Sequence, residues 1–180
     1  MKAFSKILEK KVDRLFLMVW PPWGESKMAD VDLSFGFVTT DNPNVLYVVT
    51  VDKDELWQPH VFEYEVPHIA FSWEDFSPRM QMWMEAEEDT ELRMNVEYYE
   101  ITKCPLFDKI VGFGIVKIVL VFIEDHSAPF GVRFDFQEDY VISMPNTDGN
   151  TVETSRFNQN GSIEYFKKLG AVVYRDLSEF

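Results

Sequence analysis

With 180 residues, 46% hydrophobic and 16% aromatic, the chain is long enough for one domain with an ordinary core and requires no disulfide or metal staple. Its formal charge of -14 repels duplex nucleic acid and anionic membrane surfaces, so neither is expected as a partner. A single cysteine, Cys104, excludes an internal disulfide and fits a reducing compartment.

The first elements are expected to be a short amphipathic helix over residues 2–12, carried by Phe4, Ile7, Leu8 and Val12, and a buried strand over residues 15–20. Charges at Glu9, Lys10, Lys11, Asp13 and Arg14 interrupt any leader-like apolar run, and the protein reads as cytoplasmic. Pro21 and Pro22 end the strand inside a stiff segment flanked by Trp20 and Trp23, which reads as two rings packed on the domain rather than as a ligand-stacking loop. Alternation at Val31, Leu33, Phe35 and Phe37, then turn chemistry at residues 41–44, predicts an antiparallel pair with residues 45–51. Residues 56–66 continue the strand pattern, with Glu63 and Glu65 on one side and His60, Phe62 and Tyr64 on the other. Residues 69–76 are too short and mixed to assign.

The stretch 79–101 supports two readings. As a hairpin, Met80, Met82, Met84 and Ala86 share one face with Leu92, Met94, Val96 and Tyr98, and Glu85 faces Arg93 on the other. Its tip then carries Glu87, Glu88, Asp89 and Glu91, a charge too concentrated to bury unpaired. The rival is a helix over residues 78–88, opened by Ser77 and Pro78, with Met80, Trp83 and Met84 on one side. The hairpin satisfies two faces in one register and is the preferred expectation.

Beyond the break at Lys103, Cys104 and Pro105, residues 110–123 are β-branched at both parities, as a strand covered on two faces requires. Gly112 and Gly114 suggest a bulge or a change of element there. This longest apolar run is too short to span a membrane and carries Lys117. Phe130, Val132, Phe134 and Phe136 line one strand, and Tyr140, Ile142 and Met144 the next. Asp148 and Gly149 predict a tight turn into residues 151–156. A helix carrying Ile163, Phe166 and Leu169, capped by Asn160 or Ser162 and stopped at Gly170, precedes a last strand over residues 171–174. The sum is an α+β domain over residues 1–180, mostly antiparallel β-sheet with short helices near the N- and C-termini.

No catalytic machinery is legible. His60, His68 and His126 lack metal-ligand spacing, no phosphate-binding or dinucleotide motif occurs, and Cys104 has no histidine beside it in sequence, so no metal or cofactor is expected. Carboxylate pairs such as Glu63 with Glu65, or Glu74 with Asp75 beside Trp73, are statistically unavoidable among 31 acids. A pocket built from Trp57, Trp73 and such pairs, in a carbohydrate-binding protein or hydrolase, is the alternative function.

What the charge does show is localisation. Residues 52–100 hold fourteen acids against Lys53, Arg79 and Arg93, whereas Lys2, Lys6, Lys10, Lys11 and Arg14 make the N-terminus basic. Clustered carboxylates flanked by aromatic rings suit capture of a basic protein. The expected contact residues are Trp83, Glu85, Glu87, Glu88, Asp89, Glu91 and Tyr99. In size, acidity, lone cysteine and the strand, Asp148–Gly149 turn, strand and terminal helix of its last part, the chain loosely resembles the small acidic immunity proteins that bacteria make against secreted toxins. That resemblance implies a non-catalytic inhibitor of a cationic toxin domain, and it transfers no functional residue.

Overall fold

A computed structural model describes residues 2–20, 22, 31–51, 58–85, 96–146 and 149–180. Helix α1 (Lys2–Ser5) leads into β1 (Val12–Val19), β2 (Leu33–Thr39), β3 (Asn42–Val51), β4 (Pro59–Glu65) and β5 (Phe71–Ser72). Helix α2 (Trp73–Glu85) then returns the chain to β6 (Glu97–Glu100). Strands β7 (Lys117–Ile123), β8 (Gly131–Asp135), β9 (Tyr140–Asn146) and β10 (Gly149–Thr154) precede α3 (Ile163–Phe166) and β11 (Val172–Asp176). The fold is α+β, with short helices near both termini and one longer helix between. One sheet has the order β4-β3-β2-β1-β6-β5 and the other β10-β9-β8-β7-β11. Every pairing is antiparallel except β5 with β6, the two strands that α2 joins as a crossover.

The sheets pack through their aromatic faces. Phe134 of β8 stands edge-on to Phe35 of β2, ring centroids 5.4 Å apart, and contacts Phe4 of α1 at 6.1 Å. Because β1 lies inside its sheet, it is apolar on both sides: Leu15, Leu17 and Val19 join this core, while Phe16 and Met18 join a second cluster with Val38, Leu46 and Val48. On the outer face of the other sheet, Phe166 of α3 stacks on Phe130 at 4.1 Å and covers Val121, Ile142 and Met144. The sheets meet at Asn150, whose side-chain amide donates to the Leu33 carbonyl at 2.7 Å and whose backbone N–H donates to Asp32 Oδ1 at 2.9 Å.

Several sequence expectations change here. The N-terminal helix stops at Ser5, because Glu9 takes a positive φ and the chain turns into β1 at Val12. The β2–β3 turn falls at residues 40–41, since Thr39 already pairs with Asn42. Within residues 110–123 only Lys117–Ile123 is strand; Gly112 has φ +86° and its N–H bonds back to the Val12 carbonyl. Gly149 pairs with Asn146 and so lies inside the ladder rather than in the expected turn, and Asp148 lies outside the described residues. Glycine is needed at 149 for another reason: a Cβ there would come within 2.5 Å of Asp32 Cγ. Trp20 packs against the second cluster, and Trp23 lies outside the described residues.

The largest correction concerns residues 79–85, which are helical, so the hairpin over residues 79–101 does not form in their first half. Phe76, Met80 and Trp83 fall on one side at i, i+4 and i+7 and are all buried, whereas Met82, which the hairpin would have turned inward, is exposed. The helix starts at Trp73, five residues before Pro78. Its first turn is held by Asp75, whose carboxylate accepts from the Ser72 backbone N–H at 3.1 Å and the Ser72 hydroxyl at 2.8 Å.

Candidate functional site

The end of the first sheet formed by β5, α2 and β6 holds the described members of the expected contact set, Trp83, Glu85 and Tyr99. Trp73 stacks on Phe76 at 5.1 Å and meets Phe107 and Phe157 edge-on, which fixes the start of α2 to the core. Further along, the helix is held by one carboxylate. Glu97, only 9% exposed, accepts from Trp83 Nε1 at 3.0 Å, from both Nε and a terminal nitrogen of Arg79, and from the Tyr99 hydroxyl. The Arg79 guanidinium lies over the Phe71 ring at 3.9 Å, so a β5 side chain completes the cage.

The electrostatics follow from this packing. Burial works to raise the Glu97 pKa, but the hydrogen bonds from Arg79, Tyr99 and Trp83 together outweigh it, and the carboxyl is held below its ordinary range. Burial and the adjacent carboxylate push the Tyr99 phenol well above its ordinary value. A carboxylate with four donors on its two oxygens is saturated. It has no oxygen poised to take a proton from a substrate, and its role is to join α2 to β6.

The expected contact residues therefore divide. Trp83 and Tyr99, expected as flanking anchors, are 7% and 0% exposed and point their polar atoms at Glu97. Glu85 is exposed at the end of α2, where its carboxylate accepts from Gln81 at 2.9 Å. Glu87, Glu88, Asp89 and Glu91 lie outside the described residues. Glu97 was not singled out from sequence, because nothing local distinguishes it from its neighbours until α2 docks. The helix itself had a usable signal: Ser72 followed three residues later by Asp75 is a capping pattern, and Trp73, Phe76, Met80 and Trp83 recur at helical spacing after it.

Three of the five N-terminal cations are paired with acids of the same molecule. Lys6 pairs with Glu63 at 3.1 Å, Arg14 with Glu100 at 2.8 Å, and Lys10 with Asp41. No separate basic face is left by these three, while Glu65 and Glu74 have no cationic partner among the described residues. Cys104 is buried, and burial pushes its thiol pKa up, away from thiolate chemistry.

A separate cavity of about 410 Å³ opens between the sheets near Phe4, His60, Val61, Leu120, Phe122 and Phe180. Its lining contains no Asp or Glu and not Trp73, so it is not the paired-carboxylate pocket of the alternative reading; Trp57 lies outside the described residues. Among the described residues, no group of three or more His, Cys, Asp or Glu is placed to hold a metal, and no helix is long and apolar enough to cross a membrane. Comparison with known proteins finds no family model, no curated protein and no solved structure that matches the chain.

Proposed function

We propose that this is a non-catalytic acidic binding protein, an immunity-type inhibitor that captures a cationic protein such as a secreted bacterial toxin in the cytoplasm. One observation carries the reading: the acidic stretch is strung between two ends that Glu97 ties together. Glu85 closes the helix that donates Arg79 and Trp83, and Glu97 opens the strand that accepts from them. The sequence between those ends, residues 86–96, exceeds the roughly two to six residues that usually join a helix to its next strand. It carries Glu87, Glu88, Asp89 and Glu91 against one cation, Arg93. A net-negative sequence tethered at both ends suits fast electrostatic capture.

Affinity capture followed by mass spectrometry should recover a basic protein, and its association rate should fall at least about tenfold between low and high salt. Charge reversal at Glu87, Glu88 and Asp89 should slow association with much less effect on dissociation. A triple variant that associates at the original rate overturns the reading.

A further inference from the structure

Every open sheet has two edges, and exposed edges are normally kept short, covered or charged. Among the described strands, three of the four edges are short, buried or carry charges of both signs. Strand β5 has two residues, β10 is buried throughout against the start of β2, and β11 carries Arg175 and an Asp176–Lys117 ion pair at 3.2 Å. Strand β4 differs. It has seven residues, and residues 62–65 are exposed in succession, on both sides of the sheet. Main-chain groups of residues 61–65 have no described partner beyond the ladder to β3.

The two sides of β4 are chemically distinct. Phe62 and Tyr64, 37% and 49% exposed with ring centroids 6.2 Å apart, stand opposite Val48 and Leu46 and extend the second apolar cluster to the edge, where it stops. Glu63 and Glu65 occupy the other side, where exposed Lys6 reaches Glu63 at 3.1 Å and Glu65 has no cationic partner among the described residues, so an incoming cation meets Glu65 directly and competes with Lys6 for Glu63. This charge selects the occupant. A second copy adding edge to edge and antiparallel would set glutamates against glutamates on one side, and directly opposed like charges are destabilising. A strand with cations on that side and apolar residues on the other meets both faces.

Resting on the reading that the partner is a cationic protein, we propose that β4 is where an extended basic segment of that partner adds as a seventh strand of the first sheet. Lysines or arginines of that segment face Glu63 and Glu65. Its alternate apolar side chains cover Phe62 and Tyr64.

The probe is a capped seven-residue peptide alternating lysine with valine, titrated into the full-length protein and followed by amide NMR shifts and hydrogen exchange. Expected are saturable binding, shifts concentrated in residues 60–66, and slowed exchange at alternate amides of β4. The double variant E63K/E65K should weaken binding at least about tenfold, with E63Q/E65Q intermediate and both retaining the native spectrum elsewhere. A peptide with glutamate in place of lysine should not bind. No binding at millimolar peptide, shifts confined to other residues, or equal binding of the glutamate peptide overturns the inference. The E87K/E88K/D89K variant separates the two proposals. Peptide binding at β4 that survives it, beside partner association indifferent to it, leaves the edge standing and removes the acidic stretch as the capture site. Partner association that needs the three acids, with no peptide binding at β4, does the reverse.

Discussion

Glu97 and Glu63 belong to the same sheet and to the same acidic region, each pairs with a cation, and their circumstances are opposite. Glu97 sits among four donors under a helix, with its partner Arg79 packed on Phe71. Glu63 sits on an exposed edge, its carboxylate 49% exposed and its partner Lys6 64% exposed. An ion pair's contribution depends on what its removal leaves behind. Taking away Glu97 strands four donor groups on three buried or half-buried side chains, whereas taking away Glu63 returns a lysine to water. The same residue type closes one end of the sheet and leaves the other available.

The largest test of that contrast is Glu97→Ala. Breaking a buried pair costs about 3 to 5 kcal/mol, and because Arg79 is partly exposed and can rehydrate, a loss of about 2 to 3 kcal/mol is expected. For a chain of this size that lowers the thermal midpoint by roughly 5 to 10 °C, measurable by calorimetry. A loss below about 1 kcal/mol would show that the helix is held by Phe76, Met80 and Trp83 packing alone.

Trp83→Phe keeps a large ring in the core but removes the indole N–H from Glu97. About 1 to 2 kcal/mol should be lost in denaturant unfolding, less than for Glu97→Ala and more than for any single change on β4. Equal losses for Trp83→Phe and Glu97→Ala would mean that the indole alone accounts for the cage.

Acid should weaken the closed end, although its carboxyls take up protons only below the ordinary carboxylate range. The Glu97 and Glu100 carboxyls are both held below the ordinary range, Glu97 by donors that overcome its burial and Glu100 chiefly by its hydrogen bond from Arg14. For a depressed carboxyl the stabilisation is complete above the unfolded-state pKa and is lost as pH falls through the folded-state value. Stability should therefore fall as pH drops from about 5 toward about 2, and Glu97→Gln should flatten that slope. An unchanged slope in the variant assigns the acid sensitivity elsewhere. The smallest effect belongs to the open end: Glu63→Gln should change stability by no more than about 0.5 kcal/mol, because its pair is exposed and screened.

Strands with strict alternation and a clear inner face were readable in advance. Leu33, Phe35 and Phe37 of β2, and Val132, Phe134 and Phe136 around β8, lie on the inner faces that their spacing requires. Errors gathered where spacing served two structures at once. Met80, Met82 and Met84 satisfy a strand and Met80, Trp83 and Met84 a helix; the choice was made by Trp73 and Phe76, upstream residues whose rings only find Phe107 and Phe157 once the chain has closed. Gly170 shows the same limit: α3 ends at Phe166 with Lys167 as its C-cap, so the glycine is not the expected helix stop, and its constraint is the 2.7 Å that a Cβ would leave to Ile123 Cγ2.

The sequence by itself determined the α+β class, the antiparallel strands and where the charge concentrates, because alternation and charge are properties of neighbouring residues. Tertiary structure alone chose helix over strand for residues 79–85 and set that helix as a crossover between two parallel strands. It also decided that Trp83 and Tyr99 serve Glu97 from inside the molecule, and that Lys6, Lys10 and Arg14 of the basic N-terminus are matched to Glu63, Asp41 and Glu100. Each of these depends on partners far apart in the chain, and a carboxylate's role is set by the donors that folding brings to it.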